Sequence, residues 1–346
     1  MKKLFLLLIF VLTLATPASA AELTAPQVPE AGASLMPSET DSFGDALLEM
    51  LQKAIVLVRP DLKEASRVSI SVVAAVMMTS MLRSFSGTIK TIADLSGTTL
   101  IAAVLLLSTN SLIHLGAETV AEISSYGKLL LPVMTAALAA QGGVTASAAL
   151  YTGTAVFNTI LSSLISRFLL PMVYLFLALA TALSAAGEDV LKKMRDFVKN
   201  AVSWCLKTIL TVFTTYMSIT GVVSGTTDTA ALKATKVTIS SVVPVVGGIL
   251  SDASEAVLVS AGVMKSAAGI YGILSVFAVL LEPFLRIGSH YLILKLTAAV
   301  CAVFGSKGST DLIGDFASAM GLLLAMTGAA CLLQLISTVC FMKGVG

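Results

Sequence analysis

From residue 129 to residue 166 the chain runs for 38 residues without a charged side chain. A helix crosses the ~30 Å hydrocarbon core of a bilayer with about 20 mostly apolar residues, because lipid offers backbone groups no hydrogen-bond partners. The run therefore has room for two passes. Gln141-Gly142-Gly143 is its clearest turn signal, so the two passes divide there, with a re-entrant pair as the alternative. Further apolar stretches occupy residues 68–82, 95–113, 168–187, 208–223, 266–281, 287–304 and 316–342. The pattern predicts an all-α fold: a polytopic membrane helix bundle with seven or eight transmembrane helices. Composition agrees, with 56% of residues hydrophobic and only 12% charged, against about 25% charged in ordinary soluble domains. A water-soluble fold could not cover that much apolar surface, which excludes a soluble enzyme, a disordered chain and a disulfide-stapled secreted domain. The net charge of +2, from 22 basic and 20 acidic residues, is too balanced for a nucleic-acid partner and leaves membrane lipid as the expected surroundings.

The first 20 residues read as a cleaved signal peptide. Met1-Lys2-Lys3 is a basic start, residues 4–14 are apolar, Pro17 breaks the run, and Ala18-Ser19-Ala20 has the form that signal peptidase cuts. An uncleaved first helix is the alternative. Residues 21–67 follow as an extracytoplasmic linker with a short amphipathic helix. The linker carries Pro26, Pro29 and Pro37. The helix is expected to start at a capping box, Ser42-x-x-Asp45, to bury Leu47, Leu51, Ala54, Ile55 and Val58, and to stop at Pro60. The remainder, residues 68–346, forms the polytopic transmembrane domain.

Two segments of that domain stand out. Between residues 188 and 205, Val190, Leu191, Met194, Phe197, Val198, Ala201, Trp204 and Cys205 fall on one helical face. Lys192, Lys193, Arg195, Asp196 and Lys199 cover the other. This predicts an amphipathic helix lying in the membrane interface, with Lys192, Lys193, Arg195 and Lys199 toward head groups and Trp204 at the water boundary. The five basic residues from Lys192 to Lys207 assign it to the cytoplasmic side, with Arg83, Lys90 and Lys343, whereas Lys307 falls outside. Residues 237–252 are apolar yet too short to span. With Pro244, Gly247, Gly248 and Asp252 they predict a broken or re-entrant segment that could line a pathway or merely pack.

Ionisable residues inside the spans are few. Glu282-Pro283 and Arg286 suggest a turn, Arg286 and His290 lie one helical turn apart, and Lys265 and Lys295 suit snorkelling to an interface better than transport. Gly305-Ser306-Lys307-Gly308-Ser309-Thr310 has the wrong order for a phosphate loop and reads as a flexible turn. Cys205, Cys301, Cys331 and Cys340 sit in or beside apolar helices as small packing residues. With no catalytic motif, no cofactor signature and no metal-ligand spacing, the expectation is a protein that is not an enzyme.

Residues 215–225, Thr215-Tyr216-Met217-Ser218-Ile219-Thr220-Gly221-Val222-Val223-Ser224-Gly225, then Ala234-Thr235-Lys236 and the string from Pro244 to Ala253, resemble the stage III sporulation protein AE family of endospore-forming bacteria. The order of features agrees along most of the chain. The resemblance implies an integral component of a channel or secretion-like complex linking mother cell and forespore, which supports forespore development after engulfment. It implies residence in the outer, mother-cell-derived forespore membrane. It implies as partners the other stage III A operon proteins, including an ATPase and ring-forming subunits, and forespore protein Q. It carries no catalytic residues. The competing expectation is a solute permease acting alone, with its binding site at the broken segment near Pro244 to Asp252.

Overall fold

The structure is a computed structural model that describes residues 26–37, 42–82, 88–140, 144–219 and 267–343. The described residues are helical throughout and contain no strand. A one-turn α1 (Glu30–Ala33) precedes α2 (Phe43–Leu82), α3 (Thr88–Ala140) and α4 (Val144–Leu164). A π-helical turn (Ile165–Leu169) joins α4 directly to α5 (Leu170–Ala186). Then come α6 (Asp189–Ile219), α7 (Ala267–Cys301) and α8 (Lys307–Lys343).

The directions of these rods follow from the residue pairs that bridge them. Between α2 and α7, Asp61 pairs with Arg286, Ser69 with Thr297, and Ser80 with the Phe304 carbonyl. The numbers rise together, so the two helices are parallel. Arg195–Asp315 and Lys199–Ser318 likewise make α6 parallel to α8. Thr154–Ser337 and Ser184–Gly308 run in opposite senses, so the α4–α5 rod is antiparallel to α8. Ser124–Asn158 and Asn110–Tyr174 make α3 antiparallel to that same rod. The result is an up-and-down bundle of six rods. The Gly187 turn and the 302–306 turn share one end, here called basal. Helix α8 is the hub, nearly all of it buried by the others.

Several turns expected from the sequence are not turns. Pro60 lies inside α2 and Pro283 inside α7. A helix packed against neighbouring helices can absorb a proline, because local adjustments and neighbouring groups satisfy the freed carbonyl. Arg286 is mid-helix because its guanidinium meets Asp61, with Nη2 3.0 Å from Oδ1, and a paired charge no longer demands a loop. Arg167 is carried on the π turn, which swallows one extra residue without breaking the rod. The passes expected at 144–166 and 168–187 therefore merge, as do those at 266–281 and 287–304. Among the described residues five helices are long and apolar enough to cross a membrane: Phe43–Leu82, Leu95–Ala136, Ser147–Ala186, Gly269–Cys301 and Lys307–Met342. The seven or eight expected are not reached among those residues.

Other boundaries are where the sequence puts them. The Asp45 N–H donates to Ser42 Oγ at 3.2 Å, which caps α2. Helices α3 and α4 end and begin on either side of residues 141–143. Gly187 closes α5 with φ +71, donating to the Leu183 carbonyl at 2.8 Å. A left-handed cap of this kind favours glycine. The 305–310 string is part turn and part helix start: Ser306 Oγ accepts from the Ser309 N–H at 3.1 Å, an N-cap for α8. The buried face of α2 is rotated from the expected stripe. Ala46, Met50, Ala54 and Val58 are buried, whereas Leu51 and Ile55 are exposed.

The segment before α2 docks on α7. Leu35, Ala46, Met50 and Ala54 form a small apolar cluster with Leu274 and Ala278, and Lys53 Nζ donates to the Met36 carbonyl at 3.0 Å. Gly32 makes the approach possible. A Cβ there would lie 2.9 Å from Val279 N and 3.0 Å from Ala278 C, both rigid backbone atoms. Gly32→Val is expected to lift α1 off α7 at a cost of about 1–3 kcal/mol. Limited proteolysis should then cut near residues 34–37 several times faster, and unchanged protection would show that the docking is not real.

Exposed large apolar side chains girdle the basal half. They include Ile70, Met77 and Met81 of α2, Leu100 and Leu107 of α3, Leu175 of α5, and Leu292, Leu296 and Val300 of α7. Toward the middle of the rods lie exposed charged or titratable residues, Arg59 and Arg67 on α2, His114 and Glu118 on α3, Arg167, and Lys207 on α6, and exposed apolar side chains resume beyond them, among them Leu48, Ile55 and Val56 of α2, Leu129 of α3, and Val156 and Ile160 of α4.

Candidate functional site

A cleft of about 840 Å³ opens at the basal end, between the start of α6, the end of α5, the last turns of α7 and the start of α8. It exists because the two tight turns, at Gly187 and at residues 302–306, bring four helix ends together. Its mouth carries Asp189 and Lys192 of α6 and Lys307 and Asp311 of α8. Deeper in, the walls bear Arg195, Lys295, Asp315 and Ser318.

The inner wall is built on an ion pair between α6 and α8. Arg195 Nη1 lies 2.7 Å from Asp315 Oδ2, and the two side chains are only 12% and 13% exposed. The same guanidinium reaches Asp196 Oδ1 through Nη2 at 2.8 Å and Nε at 3.1 Å. Arginine's fixed fork of donors suits this double use. One turn along α6, Lys199 Nζ donates to Ser318 Oγ at 3.3 Å. Lys295 of α7 is exposed, its ammonium 5.9 Å from the centroid of the Tyr291 ring. Among the described residues neither lysine has a carboxylate within ion-pair distance.

This arrangement divides the basic residues that the sequence places on one outward face. Lys192 and Lys193 are exposed, but Arg195 and Lys199 turn inward against α8. The segment 188–205 is accordingly the first half of a continuous α6 that stands alongside α8. It is not a separate helix lying across the bundle. Its outward apolar stripe is present, with Val190, Met194, Phe197 and Trp204 all at least half exposed. Lys295 lines the cleft. Lys307 shares the basal end with the Lys192 cluster, and α8 carries the chain away to the opposite end. The broken segment expected at Pro244, Gly247, Gly248 and Asp252 lies outside the described residues, as do Lys265 and residues 221–225.

Asp311, Asp315 and Ser318 are the site residues that sequence reading misses. Their signal is an acidic pair four residues apart at the start of an apolar run. Among the described residues no three His, Cys, Asp or Glu side chains cluster as metal ligands, and three of the four cysteines, Cys301, Cys331 and Cys340, are buried. The arrangement can hold charge inside an apolar bundle.

A hub-and-rod bundle with an apolar outer belt and a charged cleft at one end defines a class: helical proteins of the membrane whose polar site is reached from one face. Within that class the chain belongs to the stage III sporulation protein AE family, whose sequence profile matches residues 37–344. Stage III sporulation protein AE of Bacillus subtilis (strain 168) is 23% identical over 205 residues, covering 58% of this chain and 51% of that protein. The match thus spans about half the length of that curated relative. No solved structure matches the chain.

Proposed function

We propose that this chain is a non-enzymatic integral membrane subunit of the stage III complex that links mother cell and forespore as a channel or secretion-like apparatus. The observation that carries the reading is family membership across residues 37–344, joined to a bundle whose long apolar helices suit a membrane. The bilayer surrounds the basal half, and the basic residues Lys192, Lys193 and Lys307 favour a basal end in the mother-cell cytoplasm. The rods are longer than a bilayer is thick: α8, with 37 residues, extends about 55 Å. The opposite half then projects into the space between the membranes, where residues 21–67 are also expected after cleavage of residues 1–20. There it meets ring-forming partners and forespore protein Q, while the ATPase works from the basal side. The outer forespore membrane is the site this topology supports. Lys192 and Lys193 meet the lipid interface at the basal end, and the string from Pro244 to Asp252 contributes to a pathway or a packing contact.

The test is recovery of the tagged chain from sporulating cells, paired with deletion of its gene. Co-purification of stage III A proteins and arrest after engulfment are expected. Normal spores, together with solute transport by vesicles holding only this chain, would instead establish the lone permease.

A further inference from the structure

We propose that two copies of this chain pair in the membrane through the outer face of α3, about a two-fold axis, with Asn110 of each at the centre of the seam. The inference rests on the membrane placement proposed above and on no partner in the complex. Leu100, Ala103, Leu107, Asn110, His114 and Ala121 follow one another along α3 at steps of three, four and seven residues, and all are exposed. This is the a and d spacing by which one helix meets another, yet among the described residues no helix covers it. The seam lies in the candidate span Leu95–Ala136, and residues 100–113 carry no charged side chain. A groove of about 520 Å³ runs beside it between α3 and α5, walled by Leu106, Asn110, Ile113, Tyr174 and Leu177.

Asn110 decides what covers this face. Its Oδ1 accepts from the Tyr174 hydroxyl at 2.9 Å, while its NH₂ donates to nothing among the described residues. Tyr174 stands 12 residues before Ala186, the basal end of α5, so Asn110 lies about 18 Å from that end. In a bilayer surrounding the basal half, that depth is close to the middle of the ~30 Å hydrocarbon core. Lipid tails would fill the groove but give the amide no acceptor. A second helix gives it one, which is how polar side chains hold membrane helices together. Copies inserted in one orientation are related by an axis along the membrane normal, so α3 runs parallel to its copy and equal residues meet at equal depth. A carboxamide is self-complementary in that position: it carries donor and acceptor, and Oδ1 has a second lone pair beside the one given to Tyr174. The small Ala103 and Ala121 on either side let the two backbones approach. The seam is one sector of the apolar belt, so Leu107 stays out of water under the second copy as it would under lipid, which covers the rest.

The experiment uses the full chain in the membranes of cells that express it and reads disulfide formation under a mild oxidant. Ala103→Cys and Leu107→Cys, each alone, should give a band at twice the chain's mass that a reductant dissolves. Leu292→Cys, exposed on α7, should give no more than the wild type, whose own cysteines set the background. Adding Asn110→Leu to Ala103→Cys should lower the cross-linked fraction about fivefold, and Asn110→Gln should keep most of it. The Asn110→Leu protein should unfold at the wild-type temperature in detergent, because the side chain it alters is exposed. No dimer band at either seam position would overturn the pairing. So would a yield at Leu292→Cys equal to theirs, an Asn110→Leu change without effect, or a cross-link to a different protein. Absence of the chain from the membrane fraction, read before any cross-link, would instead strike the membrane placement and the pairing with it.

Discussion

Replacing Arg195 by Met is expected to destabilise the bundle by about 3–5 kcal/mol, because Asp315 is left as an uncompensated buried carboxylate. Both side chains are nearly inaccessible, and their contact at 2.7 Å is the one charged link between α6 and α8 among the described residues. Asp315→Asn should cost less, since Asp196 still accepts from Arg195 at 2.8 Å and is half exposed to water. The informative variant is the double change Arg195→Met with Asp315→Leu. Replacing both partners by apolar groups of similar size removes the desolvation cost along with the attraction, so much of the lost stability should return. Thermal unfolding of the four proteins in one detergent gives the coupling. Singles whose losses simply add in the double variant would mean that the two charges do not act as a pair.

That pair also shows where the sequence stops being informative. Arg195 and Lys199 sit among Lys192 and Lys193 in a strongly basic stretch, and nothing local separates the two that face inward from the two that face outward. Their partners, Asp315 and Ser318, lie some 120 residues away on α8. The same limit explains Arg286, which reads as a loop residue until Asp61 is seen across from it. Features set by nearest neighbours are legible: the Ser42 cap, the Gly187 turn and the outward stripe from Val190 to Trp204. Hydropathy correctly marks the apolar stretches but not their joins. A charge or proline between two such stretches looks like a turn unless a partner on another helix offsets it. The cleft is made of such offsets, so only the acidic pair Asp311 and Asp315, poised at the start of an apolar run, hints at it.

The belt and the hub lead to opposite expectations for the same residue type. Leucines such as Leu322 and Leu323 of α8 are buried by protein, whereas Leu107 of α3 is 80% exposed on the basal belt. In water an exposed leucine could become lysine at little cost. In hydrocarbon the same change carries a charge into a medium that cannot solvate it, at roughly 2.5–3.5 kcal/mol near the centre of a span. Leu107→Lys is therefore expected to lower the amount of chain in the membrane fraction severalfold and to reduce the unfolding temperature of what remains. Leu57 is the control. It is also exposed, but it lies on the half of α2 that carries Arg59, Asp61 and Lys63, outside the belt, so Leu57→Lys should insert and unfold as the wild type does. Equal tolerance at both positions would place the bilayer elsewhere on the rods, and the basal cleft would then no longer open at a membrane surface. A loss confined to Leu107→Lys would fix the belt as the lipid contact, with Arg195 and Lys199 held at membrane depth by the helices around them.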